Sequence, residues 1–357
     1  MDSRTTIYPI FLPHAGCPFQ CVYCNQNVVT GQATEGASTK QLAESIRNLA
    51  EQAERHSRPG EIAFYGGTFT ALPENTMVGL LTAAAAHVSA GRFSGIRFST
   101  RPDCLTAEVC ALLFRYPVQT VELGVQSLSG DVLVRSRRGY SADCVREAAK
   151  RTREGGWSLG IQLMPGLPGD APDRFRMTVA ETVALRPDFV RLYPTVVLSG
   201  TVLAEWFRKG EYIPLSLDDA VSWCAGACGT FVAAGIRIAR MGLHADPELC
   251  KSGSIVAGPF HPAFGYLVRV RRWRDRVDAC LRDTMKRGTK HVALTVPAAA
   301  ISEVVGPGRS NVTYWKEKWR IGTLSVKGSP ALSWECLECS FEEPPQSGNC
   351  IAERTNT

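Results

Sequence analysis

Short apolar runs separated by longer amphipathic ones recur from Thr5 to Tyr193 at intervals of about 30 residues, and this rhythm limits the possible folds more than any other feature. The short runs lie near Ile7–Leu12, Ile62–Tyr65, Gly95–Thr100, Thr120–Gly124, Ser158–Met164 and Phe189–Tyr193. Each ends in Gly, Pro or polar residues, the punctuation that closes strands. Between them, Thr39–Arg55, Pro73–Ala90, Asp143–Glu154 and Asp173–Leu185 carry apolar residues at helical spacing. A strand, a crossover helix and a second strand bring the chain back in the same direction, so the alternation predicts a parallel sheet. The fold class expected is α/β, a partial (β/α)6 barrel of TIM type across residues 1–240. In such barrels the chemistry stands on the loops that follow the strands, which singles out the residues just beyond each one.

Two more helices, Thr201–Lys209 and Leu217–Ala234, and a strand at Ile236–Met241 come after the sixth run. Residues 241–265 are rich in Gly and Pro and read as a lid or linker. Residues 266–330 read as helix, strand at His291–Val296, helix and strand at Thr323–Lys327, a small basic α+β domain. Polar residues with Pro344 and Pro345 make 331–357 an expected disordered tail. A chain of 357 residues has room for a barrel and one smaller domain. No apolar run approaches the ~20 residues needed to cross a bilayer, so no membrane partner is expected. Met1–Ile10 lacks the apolar core and cleavage site of an export signal, which predicts a cytoplasmic protein. Thirteen cysteines in such a chain, an odd number, argue for metal ligation over a disulfide framework.

Cys17, Cys21 and Cys24 follow the first strand as C-x3-C-x2-C, so a single loop brings three thiolates to one centre. A [4Fe–4S] cluster ordinarily takes four cysteines; with three, one iron stays open to an outside ligand, here read as the amino acid end of S-adenosylmethionine (SAM). The reduced cluster gives one electron to the sulfonium, a C–S bond breaks, and the resulting 5′-deoxyadenosyl radical abstracts hydrogen from carbon. Zinc is the competing reading, since His14 precedes the loop and would close a four-ligand site with the three cysteines. Two neighbours favour the cluster. Tyr23 is placed to rest against an adenine ring, and the second strand ends in Gly66-Gly67-Thr68, where missing Cβ atoms let backbone carbonyls approach an ammonium group.

Further motifs follow the other strands in order: Phe64-Tyr-Gly-Gly-Thr-Phe69, Thr100-Arg-Pro-Asp103, Val121-Glu-Leu-Gly-Val-Gln-Ser127, Arg138-Gly139, Met164-Pro-Gly-Leu-Pro-Gly169 and Leu192-Tyr-Pro-Thr195. With the cysteine loop they make the sequence similar to the radical SAM superfamily across roughly residues 5–240. It resembles most the radical domain of the Elongator catalytic subunit and its bacterial and archaeal relatives, and more weakly the oxygen-independent coproporphyrinogen oxidases. The resemblance implies a [4Fe–4S] cluster, SAM and a low-potential electron donor such as flavodoxin or ferredoxin. It implies that Gly66, Gly67 and Thr68 hold the cofactor's amino group, that Gln126 contacts its ribose region and that Arg138 neutralises its carboxylate. An amide suits sugar hydroxyls and an Arg fork suits a carboxylate. Gln126 and Glu122 equally suit polar groups satisfied inside a barrel, and Arg138, beside Arg135 and Arg137, equally suits a solvated helix face. Two departures stand out: Ser99 occupies a position where many relatives have Glu, and the Elongator subunit's acetyltransferase domain does not follow.

The net charge of +6 is concentrated, with nine Lys or Arg against three Asp between Tyr266 and Lys290, a local excess of six. A helix here would turn Tyr266, Val270, Trp273, Val277, Leu281 and Met285 inward and leave Arg269, Arg272, Arg276 and Lys286 outside. The stretch from Ile301 to Val312, with Gly306-Pro-Gly308-Arg309, bears a faint likeness to a KH-type RNA-binding core, so tRNA or another RNA is the expected partner of residues 266–312. His244 and His261 are placed to meet substrate or to serve as loop residues. Cys224, Cys228 and Cys250 read as core or incidental, as do Cys336 and Cys339 with Cys350 beyond them. The activity expected is reductive cleavage of SAM for hydrogen abstraction, with a tRNA base as substrate. Radical chemistry on a small metabolite or porphyrin-like cofactor is the alternative, and a non-catalytic iron–sulfur protein the third reading.

Overall fold

The computed structural model describes residues 5–30, 39–245, 247, 249–285, 289–334 and 336–342. The chain divides into two compact units, residues 1–264 and 265–357.

In the first unit β1 (Ile7–Phe11), β2 (Glu61–Tyr65), β3 (Gly95–Thr100), β4 (Val118–Gln126), β5 (Ser158–Leu163) and β6 (Phe189–Leu192) line up in chain order. A two-stranded ribbon pairs β7 (Val197–Leu198) with β9 (Ile255–Ala257), and β8 (Arg237–Met241) adds a seventh strand beside β6. Every neighbouring pair in the seven-stranded sheet is parallel. The order β1-β2-β3-β4-β5-β6-β8 leaves β1 and β8 as edges, so the sheet is an open half-barrel, one strand wider than the six-unit reading. One face of its strands is apolar, with Ile62, Phe64, Ile96, Phe98, Val121, Leu123, Leu159 and Leu163 all buried, while the other carries Arg97, Glu122, Gln162 and Arg191. The register sets Phe11 beside Tyr65, Thr100 beside Leu123, Leu163 beside Leu192 and Leu192 beside Met241, which gathers the C-terminal ends on one rim. The stretch expected as a lid or linker, 241–265, is built into this unit, since it supplies β9 and a buried Leu249 packed among Val196, Leu198 and Phe260.

A chain of charges runs through the sheet interior. Arg97 donates from Nη1 to Glu122 at 2.9 Å and from Nε to Glu61 at 2.8 Å, while Arg191 donates from Nε to the second Glu122 oxygen at 2.6 Å. Tyr65 hydroxyl and Thr120 hydroxyl close the remaining positions on Glu122 and Glu61, at 2.7 and 2.6 Å. Two carboxylates and two guanidiniums balance. Gly160 makes room, because a Cβ there would lie 3.0 Å from Glu122 Cγ and 2.4 Å from the Phe189 ring. Burial alone would raise the Glu122 pKa, but Arg191 and then Arg97, with the Tyr65 hydrogen bond, outweigh it and hold the carboxyl below its ordinary value.

The second unit places the helix Phe264–Thr284 and the helices Ile301–Val305 and Ser310–Trp319 with a sheet of β10 (His291–Pro297), β11 (Thr323–Ser329) and β12 (Glu338–Glu342). The order is β11-β10-β12, with β10 parallel to β11 and antiparallel to β12. Trp273, Val277, Leu281, Val292, Leu294, Val304 and Trp315 form its core. Three expectations are corrected. The proposed tail holds β12, because its residues 338–342 alternate in a way that lets them pair with β10; residues 343–357, including Cys350, Pro344 and Pro345, lie outside the described residues. Tyr266 is partly exposed, with its hydroxyl on the Ser302 carbonyl at 3.0 Å, and Val268 fills the buried position instead. Arg269 is half-buried and ion-paired with Glu303, so it is no open phosphate contact; Lys286 lies outside the described residues. Among the described residues no helix is long and apolar enough to cross a membrane.

The interior ion network yields a prediction. Replacing Glu122 by Gln strands Arg191 in the sheet and is expected to cost about 3–5 kcal/mol, read by chemical denaturation. Because the folded pKa of Glu122 lies below its unfolded value, its contribution is present above the ordinary carboxylate range and is lost as pH falls through the folded pKa. The stability difference between wild type and Glu122→Gln should therefore shrink on acidification below about pH 4.5; a difference that stays constant there would contradict the assignment.

Candidate functional site

All the loops on the C-terminal rim open onto one cavity of about 570 Å³, lined by Cys17, Cys21, Cys24, Gly66, Gly67, Thr68, Ser99, Arg101, Gln126, Arg138, Arg191 and His244 among others. The cysteine loop reaches it because its middle is anchored. Val22, fully buried, donates its N–H to Ser136 carbonyl at 3.4 Å and accepts at its own carbonyl from Leu203 N–H at 2.8 Å. Leu203 has this donor to spare as it sits in the first turn of the helix Val202–Arg208, whose cap Thr201 accepts from Ala204. Asn25 ties the end of the loop to Ser199 carbonyl at 2.8 Å.

The Gly-Gly-Thr turn after β2 is sewn to the same loop: His14 N–H donates to Gly66 carbonyl at 3.0 Å, and Thr68 N–H to Ala15 carbonyl at 2.9 Å. Gly66 takes φ +92°, open to glycine. A Cβ on Gly67 would fall 2.3 Å from Ala15 carbonyl oxygen and 2.6 Å from that of Leu12. The glycine is thus demanded by the approach of the cysteine loop itself, a role that sequence reasoning assigned to ligand approach.

The three thiols stand at separate points on the cavity wall. Cys17 Sγ lies 3.3 Å from the Thr68 hydroxyl, Cys21 Sγ accepts from Arg138 Nη1 at 3.1 Å, and Cys24 Sγ accepts from Gln26 Nε2 at 3.5 Å. Among the described residues no three His, Cys, Asp or Glu side chains are close enough to hold a single metal ion. His14 Nε2 accepts from Gln26 N–H at 3.0 Å, a contact that a closed four-ligand zinc site through that nitrogen would have to break. Three thiols from one loop suit a cluster core with one open metal atom. Burial pushes the Cys24 thiol up to about 12, so only a bound cation would make its thiolate form favourable.

The remaining expected residues share this cavity. Gln126 is buried, adopts φ +68° at the register shift between β4 and β5, and leaves its side-chain carbonyl without a hydrogen-bond partner. A left-handed glutamine with an orphan buried acceptor is strained unless a ligand donates to it. Tyr23 is buried among Leu203, Val132 and Tyr212, and its hydroxyl accepts from Arg138 at 3.1 Å. Arg138 is buried, which overturns the solvated-helix reading. Ser99 lines the cavity beside Glu122, whose carboxylate is spent on the ion network. His244 lines the cavity, whereas His261 accepts from Ala263 N–H at 3.0 Å and closes a turn. Cys224 and Cys228 are buried on the helix Leu217–Ala233, and Cys250 is exposed. Cys336 meets the Ser333 hydroxyl at 2.9 Å, and Cys339 sits on β12 opposite Leu294.

Sequence reasoning missed Arg101, Arg191 and Arg240 in the wall. Arg101 pairs with Asp103, stacks on Phe19 and Tyr140, and keeps its buried Nη1 unpartnered. Charged residues inside otherwise apolar strands, such as Arg97 and Arg191, were the available signal. The donor set thus fits a three-cysteine cluster with an organic ligand: three thiols, a glycine turn and a buried amide oxygen in want of a donor.

The model for the radical SAM superfamily matches residues 11–181, and the Radical_SAM C-terminal domain matches 187–274. A protein named tRNA uridine(34) acetyltransferase from Dehalococcoides mccartyi is 30% identical over 232 residues, covering 56% of this chain and 50% of that one. Elongator complex protein 3 of Danio rerio is 32% identical over 208 residues, covering 52% and 37%. The chain thus spans half or less of the length of these two relatives. The solved archaeal Elp3 of Methanocaldococcus infernus superposes with a TM-score of 0.59 at 21% identity, covering 77% of this chain and 64% of that one, a likeness of fold.

Gly67→Ala is expected to part the two loops. Alkylation of Cys17 should quicken in the folded protein and the thermal midpoint should fall; alkylation at the wild-type rate would contradict the sewn-loop geometry.

Proposed function

Because this chain belongs to the radical SAM superfamily, whose models match residues 11–181 and 187–274, we propose that Cys17, Cys21 and Cys24 hold a [4Fe–4S] cluster whose fourth iron binds SAM. When bound and reduced, that group supplies the electron that cleaves SAM to methionine and a hydrogen-abstracting radical. The chain's own residues bind and orient. Gly66, Gly67 and Thr68 present the turn nearest Cys17, suited to the cofactor's amino group. Gln126, with its unpartnered carbonyl, suits a ribose hydroxyl donor. Tyr23 bounds the cavity where an adenine would rest. The observation that carries the reading is the single loop with three thiols on one rim cavity, next to a buried acceptor without a donor.

A tRNA base is the proposed substrate, delivered with reducing equivalents from a flavodoxin or ferredoxin. Relatives named as tRNA uridine(34) acetyltransferases support the tRNA assignment. So does the second unit, where the helices Ile301–Val305 and Ser310–Trp319 flank an exposed Pro307-Gly308-Arg309 turn between the parallel strands β10 and β11. Arg309 takes φ +63° where a KH loop would use glycine.

Anaerobic protein should carry an oxygen-sensitive cluster and convert SAM to 5′-deoxyadenosine on reduction, whereas Cys17→Ala, Cys21→Ala and Cys24→Ala should each lose the four-iron, four-sulfide content; a variant that keeps it is not missing a ligand. For RNA, filter binding of tRNA across salt concentrations tests the exposed pair Arg309 and Lys316. Reversing both should flatten the log–log salt slope by about 1.4, at ~0.7 per single-strand phosphate contact. No tRNA binding at low salt would return the substrate to the small-molecule class.

A further inference from the structure

Cys17, Cys21 and Cys24 line the rim cavity, while Val22 between them turns away into an apolar cluster with Val132, Leu167, Leu203 and Tyr212. The elements behind that cluster come to the surface within a turn. Val134 and Arg135 end the short helix that carries Val132, Arg137 follows in the next turn, and Ile213 follows Tyr212; all four are exposed. Val134 is 77% and Ile213 85% exposed, the two highest values for a large apolar side chain among the described residues. Large apolar side chains left in water beside cations are a mark of an interaction surface.

Contacts join these residues into one face. Arg135 rests on Gly169, where a Cβ would fall 2.7 Å from its Cδ, and Tyr212 donates to the Gly166 carbonyl at 2.6 Å in the same loop. The Arg137 guanidinium lies over the half-buried Trp206 ring, 6.0 Å from its centre. Trp206 itself packs against the cluster that holds Val22. Arg208 and Lys209 are exposed just beyond it, so four cations stand on these elements against Glu205 and Glu211; Asp131 is already ion-paired with Arg174. The face thus presents a positive charge around an apolar centre. A phosphate backbone would use the cations but leave Val134 and Ile213 in water, whereas a protein with an acidic rim covers both.

We propose that the face formed by Val134, Arg135, Arg137 and Ile213 docks an acidic one-electron carrier protein, which reduces the cluster from behind the cysteine loop. The proposal rests on the reading of Cys17, Cys21 and Cys24 as cluster ligands. Its logic is one of access: the cavity side of the loop belongs to cofactor and substrate, so a partner that delivers an electron while the cavity is filled approaches from the other side. One electron moves, the carrier is oxidised by one and the cluster reduced by one, and no bond is made or broken. Val22, held at both its amide and its carbonyl, fixes the loop against the elements that form the face.

The test uses the full chain, reconstituted anaerobically, as wild type, the double reversal Arg135→Glu with Arg137→Glu, and Val134→Asp; none of these residues lines the cavity. The probes are a flavodoxin and, separately, a ferredoxin. Two quantities are read: the Kd of the carrier by calorimetry, and the rate at which the cluster's visible absorbance bleaches on mixing with reduced carrier or with dithionite. At least one carrier should bind the wild type, more weakly as salt is added. The double reversal should raise that Kd by about tenfold or more and slow bleaching by the carrier to match, while bleaching by dithionite, which needs no docking, stays within about twofold. Val134→Asp should weaken binding in the same direction, and it decides by the same readings if the double reversal does not fold. Wild type that binds neither carrier at low salt overturns the proposal. So does a reversal that spares carrier binding and instead lowers tRNA affinity, which would give the face to RNA, or dissociates a wild-type dimer, which would give it to a second copy. A wild type that assembles no cluster refutes the cofactor reading and this proposal together; a loaded wild type whose variants are bleached by the carrier at the wild-type rate refutes the docking face alone.

Discussion

Parallel pairing governs this molecule. When seven strands run the same way, every crossover delivers its strand's C-terminal end to one rim, and the loops that follow have nowhere else to meet. The cysteine loop after β1, the glycine turn after β2, Arg101 after β3, Gln126 at the end of β4 and Pro194 after β6 are far apart in sequence and share one cavity wall for that reason. The interior charge chain from Glu61 through Arg97 and Glu122 to Arg191 crosses from β2 to β6 and ties these strands by side chains as well as by ladder hydrogen bonds.

Such a rim costs stability where it is kept open for a ligand. Gln126 holds a left-handed backbone and a buried oxygen without a donor, and Arg101 keeps a buried nitrogen unpartnered. By contrast the supports under the site are saturated. Val22 is bonded at both its amide and its carbonyl. Satisfied supports beside unsatisfied wall groups are the pattern of a pocket prepared for something polar.

Much of this was legible in the residues. The βα rhythm exposed six strands because their buried residues stand out as short apolar runs between amphipathic stretches, and the spacing of Cys17, Cys21 and Cys24 exposed their common loop. What stayed hidden has a physical reason. β8, Arg237–Met241, was expected as a strand, but its place as the seventh member of the sheet was not, because a charged edge strand shows its pairing with β6 only in the fold. β12 lies in a polar stretch and is a strand only because β10 offers it an edge. Gly67 was recognisable as important but not as a contact for Ala15, since a loop-to-loop approach leaves no local pattern. Arg138 was recognisable as a cation near the site, yet its burial beside Cys21, Tyr23, Gly124 and Tyr140 is something only the fold assembles.

The central claim is that the three-thiol loop carries a cluster with one iron free for SAM. Electron–nuclear double resonance on the reduced protein, with SAM isotopically labelled at its amino nitrogen, reads that contact without relying on turnover. The account predicts a hyperfine coupling between the label and the cluster. A fully assembled cluster that shows no coupling in the presence of saturating SAM would contradict it.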